Sequence, residues 1–145
     1  MNIIKVTLDT NVFVSGTYWK GDSYKILNLI FNREIDCYIT PEILQEFSRV
    51  INYEEIIKKK TFSNALQEYS YIQSFLTKIH LISSKEKLFL ITKDHDDNKI
   101  LECAISGGVD YIITQDKHIL DLKNIAGIII LTPAEFLKIF HNIDR

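Results

Sequence analysis

The stretch that decides the fold is Ile3-Ile4-Lys5-Val6-Thr7-Leu8-Asp9-Thr10-Asn11, close to the N-terminus. Its first part is a short run rich in apolar and β-branched residues, which is typical of a buried strand. Polar residues then follow at once. In an open α/β sheet the carboxyl ends of the strands share one crevice, and ligands bind there. We therefore expect Asp9 to lie at a binding edge of the sheet.

Strand-like and helix-like patterns alternate along the rest of the chain. Further strands are predicted over 36–39, 80–82, 110–114 and 127–131. Helices are predicted over 22–32, 41–51, 63–78, 97–106 and 133–142, with a short helix or turn over 117–121. Residues 11–21 are predicted as a turn-rich segment, and 85–93 are ambiguous. This order predicts an α/β fold with a mostly parallel sheet and helices on both faces.

Local signals mark where several helices begin. Thr40-Pro41 and Thr132-Pro133 each combine a capping threonine with proline at the first helical position. Glu135 adds the partner residue of a capping box. Asp22 or Ser23 is expected to cap the helix over 22–32. The two helices between the second and third strands form a hairpin, and the lysines at 58–60 are interpreted as its solvated tip, with an RNA-contacting patch as the alternative.

Composition limits the class of protein. The length of 145 residues predicts a single domain, 1–145. The net charge of −2 argues against a large basic nucleic-acid interface but not against an acidic, metal-holding pocket. No run approaches a membrane span, and the N-terminal apolar run is too short and interrupted for a signal peptide, so we expect a cytoplasmic protein. Cys37 and Cys103 are expected to be buried thiols of a reducing compartment.

Four acidic residues stand where strands end or on predicted helices: Asp9, Glu46, Asp97 and Asp116. If they converge, their charges repel unless a cation neutralises them or some stay protonated. Hard divalent cations such as Mg²⁺ prefer such oxygen ligands. We therefore predict a metal-dependent phosphodiesterase, most simply a ribonuclease.

Each of these residues also has an ordinary structural interpretation. Asp9 and Asp116 could cap the segments that follow them. Glu46 could be a rim residue beside a buried stripe, and Glu42 has a sufficient role in the first turn of its helix. Asp97 belongs to a cluster with Asp94 and Asp96, which resembles a helix cap.

Neighbouring polar residues extend the candidate site. Asn11 and Ser15 add polar groups to the loop of Asp9, and the Thr114 hydroxyl is placed to hold a water or an oxygen of Asp9. Asp96 is an alternative second ligand, and Glu102 is either a polar neighbour or a rim residue.

Several enzyme classes are excluded because their motifs are absent. The sequence contains no nucleophile elbow, P-loop, dinucleotide-binding glycine fingerprint or zinc-protease helix motif. The histidines form no constellation, and we interpret each as structural or surface: His80, His95, His118 and His141.

These residues together resemble the PIN domain, and more narrowly the VapC-like toxin components of bacterial and archaeal toxin–antitoxin pairs. The resemblance covers essentially the whole chain in the right order. It is carried by D-T-N-V-F-V-S-G at 9–16, Glu46 on the second long helix, D-D-N-K-I-L-E-C-A at 96–104 and Y-I-I-T-Q-D-K at 111–117.

The resemblance implies a fold and an activity. The fold is a three-layer α/β/α sandwich with a five-stranded, mostly parallel sheet in the order 3-2-1-4-5. The activity is that of an endoribonuclease dependent on Mg²⁺ or Mn²⁺. The implied catalytic quartet is Asp9, Glu46, Asp97 and Asp116, with Asp9, Asp97 and Asp116 as metal ligands and Asn11, Ser15 and Thr114 in support. The implied partners are an RNA substrate, a cognate antitoxin and a second copy in a homodimer.

The expected mechanism is hydrolysis of RNA by a metal-activated water, which leaves a 3′-hydroxyl and a 5′-phosphate. Three lysines flank the acidic loops, where they would either hold the RNA backbone or be plain surface residues: Lys20, Lys99 and Lys117. Tyr18 and Trp19 would either stack on an unpaired base or pack in a dimer interface.

Other functions remain open at this point. A haloacid-dehalogenase-like phosphatase also begins with an aspartate after the first strand, but it needs a second aspartate where this chain has Asn11. A PIN nuclease could also act in RNA processing outside any toxin–antitoxin pair. A non-catalytic PIN-like binding module is the third alternative, although its signature would be a broken quartet.

Overall fold

A mostly parallel sheet carries the candidate site at one edge. The computed structural model describes residues 2–51, 65–84 and 95–143. Its strands are β1 (Lys5–Leu8), β2 (Asp36–Ile39), β3 (His80–Leu81), β4 (Tyr111–Ile113), β5 (Asn124–Ile125) and β6 (Ile128–Leu131). Its helices are α1 (Thr10–Tyr18), α2 (Asp22–Phe31), α3 (Pro41–Ile51), α4 (Ala65–Leu76), α5 (His95–Gly107), α6 (Lys117–Leu120) and α7 (Pro133–Ile143).

The strand order is β3-β2-β1-β4-β6-β5. Every pairing is parallel except that of β5 with β6, which is antiparallel. The predicted α/β class is therefore confirmed. The predicted strand order 3-2-1-4-5 is confirmed as well, since β6 is the fifth predicted strand and follows β4 in the sheet. The expected strand count of five is one too low within the described residues, because β5 adds a short strand at the edge.

Segment 11–21 is the clearest correction to the sequence analysis. It forms helix α1 rather than a turn-rich segment. Asp9 caps this helix, since its side chain accepts a hydrogen bond from the backbone N–H of Thr10. Helix α2 is also capped differently from expectation, by Gly21 and without a side-chain hydrogen bond, while Asp22 and Ser23 lie inside the helix.

An aromatic cluster joins three of the helices. The ring of Phe13 in α1 lies 5.6 Å from that of Phe47 in α3 and 4.9 Å from that of Phe75 in α4. All three side chains are almost fully buried. Edge-to-face and tilted ring pairs stabilise such contacts beyond the burial of their area. The cluster therefore fixes α3, and with it Glu46, against α1.

The predicted capping box at Thr132 and the predicted burial of both thiols are confirmed. The capping box at the start of α7 is present: the Thr132 N–H donates to Glu135 Oε1, and the Glu135 N–H donates to Thr132 Oγ1. Cys37 and Cys103 are buried and form no disulfide. No helix among the described residues is long and apolar enough to cross a membrane. The predictions for residues 58–60 and 85–93 and for Asp94 concern positions outside the described residues.

Candidate functional site

A cleft of about 550 Å³ lies where β1 and β4 end. The four acidic residues singled out from the sequence all line it, although they come from four separate segments of the chain. Its full lining is Asp9, Thr10, Asn11, Val14, Ser15, Trp19, Glu46, Val50, Asp97, Gln115, Asp116 and Ile119.

Strand register brings Asp9 to Thr114. Leu8 pairs with Ile113 in the parallel ladder, so the next residues of the two strands stand side by side. The buried Thr114 Oγ1 donates a hydrogen bond of 2.8 Å to Asp9 Oδ2. Asn11 Nδ2 donates to the same oxygen over 3.4 Å. Because the other oxygen caps α1, both carboxylate oxygens of Asp9 are held in place.

The pKa of Asp9 is raised to about 6, and burial is the largest cause. The hydrogen bonds from Thr114 and Thr10 oppose the shift because they stabilise the ionised form. The negative charges of Glu46 and Asp116 add to the shift. A cation close to the Asp9 carboxylate would therefore stabilise its ionised form.

Asp116 is positioned in a similar way after β4. It caps the short helix α6, with its Oδ1 accepting from the His118 N–H over 2.9 Å. Its own N–H donates to Thr114 Oγ1. Thr114 therefore links the two strand-end aspartates. A carboxylate has about four lone-pair sites, so a capping role leaves Asp116 able to accept further ligands.

Glu46 and Asp97 reach the cleft from helices. In α3 the buried side chains are Ile43, Phe47 and Ile51, and Glu46 lies beside this stripe, partly buried. Glu42, its competitor on the same helix, is exposed and does not line the cleft. Asp97 lies in the first turn of α5 and is only 7% exposed. Because helix N-termini favour negative charge, this position stabilises its ionised form.

The PIN domain family model matches residues 5–118, a span that includes all four acidic residues. This chain belongs to the PIN-domain family. The uncharacterized protein MJ1680 of Methanocaldococcus jannaschii is 32% identical over 94% of this chain and 92% of its own length. Among solved structures, this PIN domain is similar to a chain of VapBC2 from Rickettsia felis. That complex was crystallised with a DNA fragment from its own promoter.

That structural likeness has a TM-score of 0.59 and covers 89% of this chain and 98% of the other. The identity is 16%, so the likeness demonstrates a shared fold. It agrees with the PIN-like α/β/α arrangement that the sequence predicts.

Two features of the PIN domain's cleft could not be predicted from the sequence. The Gln115 N–H donates to Asn11 Oδ1, which ties the loop after β4 to the start of α1. The hydroxyl of Thr10 is buried in the cleft wall and has no hydrogen-bond partner within the described part of the chain. A buried unsatisfied hydroxyl costs about 1–3 kcal/mol, so this atom would gain from a bound ligand. Neither feature has a sequence signal, since both depend on three-dimensional neighbours.

The side chains of the PIN domain fit a hard divalent cation of the Mg²⁺ type. Among the described residues, no three acidic, histidine or cysteine side chains come close enough to form a ready-made cage. Mg²⁺ does not need one, because it keeps several waters and is bound by one or two carboxylates plus substrate phosphate. The raised pKa of Asp9 is consistent with such an ion, since its charge would offset the repulsion from Glu46 and Asp116.

The remaining candidates of the PIN domain lie around the cleft. Lys20 and Lys117 are exposed and adjoin the lining residues Trp19 and Asp116, while Lys99 is partly buried in α5. None of the three lines the cleft itself. Glu102 is partly buried one turn beyond Asp97 and also does not line it. The side chain of Asp96 falls outside the described part.

Proposed function

We propose that this PIN domain is an endoribonuclease that depends on Mg²⁺ or Mn²⁺ and acts as the toxin of a type II toxin–antitoxin pair. The observation that carries the proposal is that Asp9, Glu46, Asp97 and Asp116 line one cleft. Carboxylates from four segments would repel one another in a merely structural site. Family membership supports the nuclease chemistry, and the resemblance to VapC-like proteins supports the toxin role.

Asp9 and Asp97 would hold the metal, with Asp116 and Glu46 completing its surroundings. When bound, the ion would supply an activated water and neutralise charge on the scissile phosphate. Thr114 and Asn11 keep Asp9 Oδ2 fixed, and the Thr10 N–H fixes Oδ1, so the carboxylate needs no reorganisation. Preorganised groups of this kind account for much of the effect of an active site. Attack by water would leave a 3′-hydroxyl and a 5′-phosphate.

The partners follow from the same proposal. A cognate antitoxin would keep the nuclease inactive, and a second copy of the chain would form the homodimer. The similar VapBC2 structure, solved with promoter DNA, supports the antitoxin pairing.

The proposal is tested by incubating purified protein with single-stranded and structured RNA in Mg²⁺, Mn²⁺ or EDTA. We expect metal-dependent cleavage that falls by about 100-fold or more in Asp9→Asn and Asp97→Asn, because each removes a charge that the reaction needs. Glu46→Gln should fall by about 10-fold or more. Its matched control is Glu42→Gln, on the same helix but outside the cleft, which should cleave like the wild type.

Loss of cleavage in Glu42→Gln equal to that in Glu46→Gln would contradict the assigned site. A wild-type protein that neither cleaves RNA nor gains thermal stability from either metal would overturn the catalytic proposal and leave a binding module.

A further inference from the structure

The cleft has an apolar end as well as an acidic one. Trp19 lines it, although the residue is 47% exposed. Val50 lines it as well, one helical turn beyond Glu46 on α3. Residues four apart lie on the same face of a helix. The wall formed by α3 therefore passes from a carboxylate to an apolar side chain.

Helix α1 forms the other wall, and its lining side chains also change from polar to apolar along the cleft. Asn11, Ser15 and Trp19 follow one another at intervals of four, and all three line the cleft. The Trp19 N–H donates to the Ser15 carbonyl, so the helical spacing holds up to the indole. Asp9 and Trp19 flank the nine residues of α1. At the rise of an α-helix this separates them by about 15 Å.

The indole is held in a defined orientation. The rings of Tyr18 and Trp19 lie 6.0 Å apart at an angle of 67°. The Tyr18 hydroxyl in turn donates to the carbonyl of Ile51 at the end of α3. Trp19 thus presents an exposed ring that packs against Tyr18, and Tyr18 is itself bonded to the end of α3.

We propose that Trp19 stacks on an unpaired base of the RNA substrate. The inference rests on the proposed function, since it takes RNA to be what enters the cleft. Aromatic side chains stack on unpaired bases of any sequence, because every base has a π-face. Bases within an A-form duplex are not available for such stacking.

The position of Trp19 favours an RNA base over a second copy of the chain. A partner copy seated on the indole would cover the apolar end of the cleft, which could then not hold a substrate. A strand with its scissile phosphate at the metal that Asp9 would hold, and with a base at Trp19, would instead follow the length of α1. Exposed Lys20, next to Trp19, is placed to meet the backbone of that strand.

Intrinsic fluorescence tests the inference directly, because Trp19 is the only tryptophan of the chain. The wild-type protein is mixed rapidly with oligoadenylate or oligouridylate in Mg²⁺, and emission is recorded before cleavage proceeds. We expect quenching by both single strands and none by the two strands annealed as a duplex. Cleavage is followed in the same samples.

Substitutions provide the second measurement. Trp19→Leu keeps an apolar side chain without the π-face and should bind single-stranded RNA about 5- to 100-fold more weakly. Trp19→Phe should retain most of the affinity. Tyr24→Ala is the matched control, because Tyr24 is 38% exposed on α2 but lies outside the cleft lining. Sedimentation of each variant reports its oligomeric state.

The outcomes separate the two proposals. Cleavage of RNA without quenching, or equal quenching by duplex, would overturn the stacking role and leave the nuclease standing. Quenching by a protein that cleaves no RNA and gains no thermal stability from Mg²⁺ or Mn²⁺ would support stacking and overturn the nuclease. If Trp19→Leu changes only the oligomeric state and binds RNA like the wild type, the indole belongs to an interface and the inference is wrong.

Discussion

Asp9 and Asp116 combine two functions at the level of single residues. Each caps the helix that follows its strand, and each also lines the cleft. The structural and the functional interpretations of these aspartates are therefore compatible. A cap hydrogen bond uses one lone pair, and it also fixes the direction of the carboxylate. At these two positions the helix cap also sets the direction in which the carboxylate faces the cleft.

The pH dependence of stability should report the environment of Asp9. Its folded pKa of about 6 lies above the ordinary 3.8, so ionisation costs more in the folded than in the unfolded chain. Asp9 therefore lowers stability as the pH rises from about 4 through about 6. In EDTA, Asp9→Asn should gain about 1–3 kcal/mol relative to the wild type between these limits. Urea unfolding across this pH range measures the difference.

The matched control is Asp121→Asn, since Asp121 is exposed and lies outside the cleft. It makes the same change from carboxylate to amide at the protein surface. A stability difference for Asp9→Asn that does not vary with pH would show that the folded protein does not penalise the ionised Asp9 carboxylate.

Sequence alone could locate some site residues and not others. Asp9 and Asp116 follow strands, so their place at the edge of the sheet is dictated by topology. Glu46 has no such signal, because its helix spacing fits a rim residue equally well, and only the family resemblance selected it. The place of Trp19 in the cleft wall depends on how α1 packs against α3, which no local pattern encodes.

At the level of elements, helix α1 was missed for a physical reason. Val12, Val14, Gly16 and Thr17 are all weak helix formers. The helix forms because Asp9 caps it and Phe13 buries its ring among the other phenylalanines. Tertiary packing therefore overrides local propensity here.

Gly16 lies where α1 packs tightly against α2. A Cβ at this position would lie 2.6 Å from Leu27 Cδ1 and 2.9 Å from the Ser23 carbonyl oxygen. Gly16→Ala should therefore lower the free energy of unfolding by about 1–3 kcal/mol, because a packed backbone must move. Chemical denaturation measures the loss. Gly21→Ala meets nothing within 4 Å and should change stability by less than about 1 kcal/mol.

Equal losses for the two glycine variants would contradict the close packing of α1 on α2. A smaller loss for Gly16→Ala than for Gly21→Ala would do so too.

Strand β5 was missed because its signal is short and unusual. It has only two residues and joins β6 through Ala126 and Gly127, whose φ angles are 50° and 82°. Two positive φ angles fit the two-residue hairpin turn. Such turns are ordinarily marked by Asn-Gly or Asp-Gly, and alanine in the first position hides the signal.

At the scale of the whole molecule, the proposed metal site would link folding stability to metal binding. The negative charges of the cleft carboxylates repel one another in the free protein, and a cation bound there would relieve this repulsion. Asp116→Asn should therefore raise the melting temperature in EDTA while reducing the gain produced by Mg²⁺. Thermal unfolding with and without the metal measures both effects. A variant that loses stability in EDTA and keeps the full Mg²⁺ gain would contradict this balance.

The two outermost strands of the described sheet, β3 and β5, are each only two residues long. A long bare edge would offer a row of unpaired backbone groups on which another chain could add a strand. Here that row is nearly absent, even though Leu81 and Ile129 expose apolar side chains nearby. Within the described residues, the sheet is thus a poor template for fibrils that grow by strand addition.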